Sequence, residues 1–309
     1  MHKKIAFVFP GQGSQYVGMG KDLHDNFSEV KDIYTEASDA LGYDVAELSF
    51  NGPLEELNKT FRTQPCLLTA SFAAYKILSI KGINPLYAAG HSLGEYSAIT
   101  ASGIISFKDA VKVTEKRGQL MQDAVPEGNG LMAAVLGLDR DAISNVCSSV
   151  SSGYVAPANY NCPGQIVLSG EKNAVEEAII LAKEAGAKRA APLAVSVPSH
   201  CSLMEGASKY LSVLLDSIDF HSPQIPVVNN ADALFLNDPG SIKDSLVRQL
   251  SNPLLWEDSV KLMIENGVDT FIEVGPGKVL GGLIKRIDRD VKIYNVEDTE
   301  TLDKMLDTL

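Results

Sequence analysis

The sequence of 309 residues has few cysteines and no long apolar run. Its cysteines, Cys66, Cys147, Cys162 and Cys201, form no CxxC pair, which excludes a zinc ribbon and a thioredoxin-type motif. Free thiols in a chain of this length are typical of a reducing compartment. No window of about 18 apolar residues occurs, so no membrane-spanning helix is expected. The first apolar run, Ile5–Phe9, is too short for a signal peptide, and the expected location is the cytoplasm.

Positive charge is also scarce. The chain has 27 Lys and Arg against 39 Asp and Glu, a net charge of −12. Such a chain repels polyanions at long range, so nucleic-acid binding is not expected. Hydrophobic residues make up 45% and charged residues 21%, which is typical of a globular protein and excludes disorder and collagen. The length favours about two domains.

Strand and helix patterns alternate along most of the chain. Short apolar runs at Ile5–Phe9 and Leu86–Gly90 are typical of buried strands, and helical patterns such as 21–41 and 107–124 follow them. The alternation predicts an α/β fold with a parallel sheet covered by helices.

Residues 128–197 have a different pattern. They predict the order β-α-β-β-α-β, which is the split βαβ or ferredoxin-like unit, with its last strand at 188–197. We expect this unit to be a small subdomain inserted into a large domain formed by residues 1–127 and 198–309.

A candidate nucleophile lies between a predicted strand and a predicted helix. Gly90-His-Ser-Leu-Gly94 is a GxSxG pattern, and this context is the one that a nucleophile elbow requires. The glycines permit a tight turn that exposes the Ser92 hydroxyl, and the helix start offers main-chain N–H groups to an oxyanion. The alternative is a glycine-rich turn that carries an ordinary serine.

A serine nucleophile needs a base. The chain has five histidines, His2, His24, His91, His200 and His221. His200 follows the last strand of the predicted small subdomain, where the chain returns to the large domain and can face a cleft. By elimination His200 is the candidate base, and the alternative is a histidine at a helix N-cap without a catalytic task.

One arginine falls on an apolar helix stripe. Ala110, Val113, Leu120 and Ala124 follow helical spacing, and Arg117 lies among them. A buried guanidinium is costly without an anion. The anion is either a structural carboxylate or the carboxylate of a substrate, which the planar fork of arginine grips well; the spacing leaves both open.

Six segments resemble the malonyl-CoA:acyl-carrier-protein transacylases of bacterial fatty acid synthesis. In family order they are Phe7–Gln15, Gly90–Ala98, Arg117-Gly118, Val197–His200, Val247–Leu250 and Glu273–Gly277. The resemblance covers nearly the whole chain. It implies an α/β-hydrolase-like core with an inserted ferredoxin-like (βαββαβ) subdomain.

The resemblance also implies roles for the site residues. Ser92 is expected to carry the acyl group and His200 to act as its base. Arg117 is expected to hold the malonyl carboxylate, and the main-chain N–H groups of Gln12 and Leu93 to form the oxyanion hole. Gln249 is expected beside the Ser–His pair, where a main-chain carbonyl orients the imidazole.

The expected reaction is transfer of malonyl from malonyl-CoA to the phosphopantetheine thiol of acyl carrier protein through a malonyl-serine. Malonyl-CoA and acyl carrier protein are the expected partners, without a cofactor, a metal, a nucleic acid or a membrane. A serine hydrolase or thioesterase acting on acyl-CoA is the main alternative, and a non-catalytic scaffold is a second one. The basic residues expected to dock an acidic carrier are Lys188, Arg189, Lys278, Lys285, Arg286 and Arg289.

Overall fold

A computed structural model describes residues 3–126, 128–195 and 197–309 of the chain. His2 and Ser196, which the predictions above include, lie outside these ranges. The strands are β1 (Ile5–Phe9), β2 (Tyr87–Gly90), β3 (Gly130–Leu136), β4 (Val155–Cys162), β5 (Gln165–Glu171), β6 (Arg189–Pro192), β7 (Val227–Val228), β8 (Phe235–Leu236), β9 (Thr270–Val274) and β10 (Lys292–Val296).

The helices connect these strands, and a short 3-10 turn spans Ser202–Met204. They are α1 (Lys21–Asn26), α2 (Ser28–Leu41), α3 (Val45–Asn51), α4 (Leu54–Leu57), α5 (Thr60–Ile80), α6 (Leu93–Ala101), α7 (Phe107–Ala124), α8 (Arg140–Ser149), α9 (Lys172–Glu184), α10 (Glu205–Asp216), α11 (Pro239–Ser251), α12 (Trp256–Glu265), α13 (Val279–Ile287) and α14 (Thr299–Thr308).

The larger sheet runs in the order β10-β9-β1-β2-β7-β8 over the described residues. Its strands pair in parallel from β10 to β7, and only the β7–β8 pair in this set is antiparallel. The predicted α/β fold with a parallel sheet is therefore confirmed. Because parallel strands share a direction, the ends of β1, β2 and β9 lie at one edge of the sheet.

Side chains alternate across the larger sheet. Phe7 and Phe9 of β1 point into one apolar cluster, with helices that include α2, α5 and α7. Ala6 and Val8 point to the opposite cluster, where α12 and α13 pack. Burial on both faces explains why the strands are apolar runs and not alternating patterns.

A second sheet is formed by residues between 130 and 192. It is antiparallel in the order β4-β5-β3-β6, and its elements follow one another as β3, α8, β4, β5, α9, β6. Helices α8 and α9 bury apolar side chains against one face of it.

The two sheets are joined through β4. Leu254, just before α12, donates its N–H to the Ala158 carbonyl at 2.8 Å and accepts from the Tyr160 N–H at 2.9 Å. The side chain of Arg140 on α8 binds Asp258 on α12 at 2.7 Å. These contacts fix the second sheet beside the carboxyl ends of the strands of the larger sheet, where Ser92 follows β2.

Several predicted boundaries were wrong. The helix expected over 21–41 is divided at Phe27, which has an extended backbone (φ −128°). The last strand of the second sheet covers only Arg189–Pro192 and not 188–197. Helices α3, α4 and α14 and strand β10 were not predicted.

The described residues contain no helix that is long and apolar enough to cross a bilayer. Cys66, Cys147, Cys162 and Cys201 are free thiols.

Candidate active site

Ser92 stands in a sharp turn between β2 and α6. Its backbone adopts φ 53° and ψ −106°, a left-handed region that is strained for a residue with a Cβ. The main chain is held on both sides by Asn230, whose Oδ1 accepts from the Ser92 N–H at 2.8 Å. The Asn230 Nδ2 donates to the Gly90 carbonyl at 2.7 Å. The turn is thus clamped by a side chain from a distant loop.

The glycines of the turn are required by packing. A Cβ on Gly90 would lie 1.8 Å from the main-chain carbon of Gly94. A Cβ on Gly94 would lie 2.0 Å from the carbonyl oxygen of Phe9 in β1. The helix therefore approaches the sheet so closely that only hydrogen fits at these positions.

The Ser92 hydroxyl contacts the two residues that the sequence singled out. His200 Nε2 lies 2.8 Å from Ser92 Oγ. Arg117 Nη2 donates to the same oxygen at 3.2 Å. His200 is 108 positions from Ser92 in the sequence and Arg117 is 25 positions from it, yet both side chains contact the same hydroxyl.

His200 is held by the C-terminal end of α11. Its Nδ1 lies 2.7 Å from the main-chain oxygen of Gln249, and its N–H donates to the Leu250 carbonyl at 3.1 Å. The last carbonyls of a helix have no partner within the helix, so they are available for this task. A carbonyl only accepts, so Nδ1 carries the proton and Nε2 is free to accept from Ser92.

Burial controls the basicity of His200, which is 2% exposed. Desolvation, and then the positive charge of Arg117, lowers the pKa of the imidazole to about 3. The imidazole is therefore neutral near pH 7, which is the form that accepts a proton. His200 also has a positive φ of 61°, a second strained backbone beside that of Ser92.

Arg117 is buried on α7 and is 1% exposed. Its Nη1 donates to Gln64 Oε1 at 2.7 Å, and its Nη2 donates to Gln249 Oε1 at 2.9 Å. Burial lowers the pKa of the guanidinium, but an arginine side chain stays charged at neutral pH.

No carboxylate in the described ranges forms an ion pair with Arg117 within 4 Å. Amide oxygens accept from its Nη groups without cancelling its charge, and its buried Nε has no partner in the described residues. Of the two possibilities that the sequence left open, the geometry favours an anion that arrives with a ligand.

Gln249 connects the parts of the site. Its Oε1 accepts from Arg117, while its Nε2 donates to the Ser92 carbonyl at 2.9 Å and to Glu95 Oε2 at 2.8 Å. Glu95 is 1% exposed, and burial raises the pKa of its carboxyl to about 7.

The two expected oxyanion donors lie next to the turn. Leu93 is the first residue of α6, so its N–H is one of those that a helix leaves without an internal partner. Gln12 follows Gly11, where an added Cβ would lie 2.3 Å from the His91 carbonyl. The loop after β1 thus passes directly against the residue that precedes Ser92.

The other described histidines point elsewhere. His91 Nε2 lies 2.8 Å from Asn161 Oδ1, and the His24 ring packs against Tyr34 and Phe50. His221 is exposed.

Three residues of the site were not predicted, namely Gln64, Glu95 and Asn230. Gln64 lies among apolar neighbours on the buried α5, so the argument used for Arg117 would have found it. Glu95 is an acid inside an apolar helix, which is the same kind of signal as a charged residue on an apolar stripe. The sequence around Asn230 contains no comparable signal.

The chain matches the acyl transferase domain family over residues 6–303. It is 52% identical to "Malonyl CoA-acyl carrier protein transacylase" of Haemophilus influenzae, and the 299 aligned residues cover 96% of each chain.

Two solved structures are similar over almost their full length. An acyl carrier protein S-malonyltransferase from Vibrio cholerae is 51% identical, with a TM-score of 0.96 over 98% of this chain and 100% of that one. A malonyl-transacylase in complex with its type II PKS acyl-carrier protein is 50% identical, with a TM-score of 0.97 over 99% and 100%.

Proposed function

The chain belongs to the malonyl-CoA–acyl carrier protein transacylases of the acyl transferase family, and from this membership we propose that it transfers a malonyl group from malonyl-CoA to the phosphopantetheine thiol of an acyl carrier protein. One observation carries the proposal. The Ser92 hydroxyl lies within hydrogen-bond distance of both a neutral imidazole and a buried guanidinium. The first activates a nucleophile, and the second recognises an acyl group that ends in a carboxylate.

In the first half-reaction, His200 Nε2 takes the proton of Ser92 as Oγ attacks the thioester carbonyl carbon. The negative charge that develops on the carbonyl oxygen is stabilised by the N–H groups of Gln12 and Leu93; one such donor is worth about 3 kcal/mol. The carbon–sulfur bond then breaks. The CoA sulfur takes the proton from His200, and malonyl remains as an ester on Ser92.

In the second half-reaction, the phosphopantetheine thiol gives its proton to His200 and attacks the ester carbon. The bond to Ser92 Oγ breaks, and Oγ takes the proton back. The two steps form a ping-pong cycle. They balance in atoms and protons among Ser92, His200 and two thiols, so the proposal includes no cofactor and no metal.

Arg117 supplies the acyl selectivity in this scheme. A malonyl carboxylate would pair with the guanidinium and replace its contact with Ser92 Oγ. Acetyl-CoA would leave the charge unpaired, and sites built on a polar contact reject substrates that lack the matching group.

We further propose an α/β-hydrolase-like large domain of residues 1–127 and 198–309, with a ferredoxin-like subdomain of residues 128–197. The strand order β4-β5-β3-β6 supports the second assignment. The free cysteines, together with substrates that are CoA thioesters, support a cytoplasmic location.

The carrier is proposed to dock at exposed basic residues near the end of α13 and the adjacent end of the second sheet. Arg286 Nη1 donates to Gln165 Oε1 at 2.5 Å. In the second sheet, Leu136 of β3 pairs with Gln165 of β5 on one side and with Arg189 of β6 on the other, so Arg286 and Arg189 lie at the same end of this sheet. Lys188, Lys285 and Arg289 are exposed in the same region. Lys278, at the start of α13, is a further candidate. A positive surface of this kind suits an acidic partner.

Intact-protein mass spectrometry after mixing with malonyl-CoA tests the proposal. One malonyl group is expected on Ser92, none on Ser92→Ala, and the label is expected to move to holo carrier protein when it is added. Rapid release of free malonate without carrier would favour a hydrolase. Absence of any label would favour a non-catalytic scaffold.

A further inference from the structure

Glu95 is a buried acid directly behind the candidate nucleophile. It lies in the first turn of α6, three residues after Ser92, and is 1% exposed. Its Oε2 accepts from Gln249 Nε2 at 2.8 Å and from the Asn230 N–H at 3.0 Å. Within the described chain no cation lies within 4 Å of its carboxylate. A buried carboxylate without a cation is costly, so its presence needs a reason beyond stability.

The amide of Gln249 has only one favourable orientation. Its Nε2 faces oxygens, namely Glu95 Oε2, the Ser92 carbonyl and, at 3.4 Å, Asn230 Oδ1. Its Oε1 faces Arg117 Nη2 at 2.9 Å. A flipped amide would place Oε1 against these oxygens and its NH₂ group against the guanidinium. Glu95 supplies the carboxyl oxygen among these acceptors, and this oxygen accepts whether the group is charged or neutral.

We propose that Glu95 is a positioning residue, which fixes the orientation of the Gln249 amide and thereby holds the Arg117 guanidinium where it meets the carboxylate of the acyl group. This inference rests on the proposed function. Glu95 touches neither the substrate nor the reacting atoms, and it acts on acyl selectivity through Gln249 and Arg117.

The Ser–His pair keeps its main contacts when the Gln249 amide turns, and loses only the bond from Gln249 Nε2 to the Ser92 carbonyl. His200 Nδ1 donates to the main-chain oxygen of Gln249, which does not move when the side-chain amide turns. The Ser92 turn is held by two hydrogen bonds of the Asn230 side chain, and Glu95 contacts only the main-chain N–H of Asn230. Loss of Glu95 is therefore expected to impair recognition of the carboxylate more than the reactivity of the serine.

The test compares malonyl and acetyl transfer to holo carrier protein by the full chain. Glu95→Met keeps the volume and removes the acceptor. Loss of this partner for the buried Gln249 amide is expected to lower kcat/KM for malonyl-CoA about 10- to 100-fold, mainly through KM. Acetyl transfer, and labelling of Ser92 by an uncharged fluorophosphonate, are expected to stay within about threefold of wild type.

Glu95→Gln is the rescue variant. Both bonds go to one oxygen of Glu95, and a glutamine carbonyl can accept both, so malonyl transfer is expected within about threefold of wild type. Glu273→Gln is the matched control. Glu273 is also a buried acid, but it binds the N–H groups of Leu280 and Gly281, so the malonyl-to-acetyl ratio is expected to stay unchanged.

A double-mutant cycle completes the test. With Arg117→Ala as background, Glu95→Met is expected to change acyl transfer by less than about twofold, because the residue through which it acts is gone. If Glu95→Met is not recovered folded, Glu95→Asp replaces it, since it withdraws the carboxylate from Gln249.

Three results would overturn the inference: equal losses for malonyl and acetyl, a Glu95→Gln variant as impaired as Glu95→Met, or a Glu95 effect that persists without Arg117. The wild-type chain alone tests the proposed function. If wild type transfers no malonyl group, the proposed function and the inference on Glu95 are both wrong. If wild type transfers malonyl and the Glu95 variants keep the malonyl-to-acetyl selectivity of wild type, only the inference on Glu95 is wrong.

Discussion

Removal of the Arg117 side chain is expected to change which acyl group the protein accepts. In Arg117→Ala, a malonyl carboxylate enters a buried site without the guanidinium that now lies beside Ser92 Oγ. Loss of one partner from a buried, hydrogen-bonded charge pair costs about 3 to 5 kcal/mol. This corresponds to a loss of roughly 10²- to 10⁴-fold in kcat/KM for malonyl-CoA.

Acetyl-CoA has no carboxylate to lose, so its transfer is expected to be unchanged or faster in the same variant. The assay is the initial rate of malonyl and acetyl transfer from CoA to holo carrier protein. Arg62→Ala is a matched control, because Arg62 binds Glu115 at 2.9 Å and makes no contact with Ser92 among the described hydrogen bonds. An equal loss for both acyl groups in Arg117→Ala would refute a role in carboxylate recognition.

Three further results are expected. Gly94→Ala should yield little folded protein, since the added Cβ would lie 2.0 Å from the Phe9 carbonyl; recovery of a wild-type melting temperature would contradict the packing argument. Glu95→Gln should gain stability relative to wild type as the pH rises. The pKa of Glu95 is about 7 in the folded protein against an ordinary 4.5. The free energy of unfolding of wild type therefore falls by about 3 kcal/mol between these two pH values, and that of the glutamine variant does not. Urea denaturation at about pH 4 and about pH 8 measures this, and a stability difference between variant and wild type that is the same at both pH values would argue against it. Reversing Lys285 and Arg286 together to glutamate should raise KM for carrier about tenfold at low salt and less at high salt, with Ser92 malonylation unchanged; a KM that ignores salt would exclude docking there.

The sequence was sufficient to select the three side chains that meet in the candidate site, because local signals mark those residues. Ser92 stands between a strand and a helix in a glycine pattern, and Arg117 interrupts an apolar stripe. His200 could be selected because the chain has few histidines. Each of these signals is contained within one turn or one helix, and the structure brings the three side chains together.

The supporting contacts could not be predicted, because they depend on where distant segments meet. Asn230 belongs to a loop that reaches the Ser92 turn only in the folded chain. The resemblance implied that a main-chain carbonyl at Gln249 orients the imidazole, but it did not give the side-chain contacts of Gln249 with Arg117 and Glu95. The short helices α3 and α4 also escaped prediction, since few residues carry their periodicity and tertiary packing decides them.

The partners of Arg117 explain how one cation can serve both binding and chemistry. Neutral amides fix the guanidinium and leave its charge intact. That charge contributes, after burial, to the lowered pKa of His200. An arriving carboxylate would cancel the charge and so restore basicity to the imidazole at the moment when an acyl group with a free acid end lies beside Ser92. A substrate without the carboxylate would leave the imidazole a weaker base, and thus the contact that recognises the acyl group would also favour its transfer.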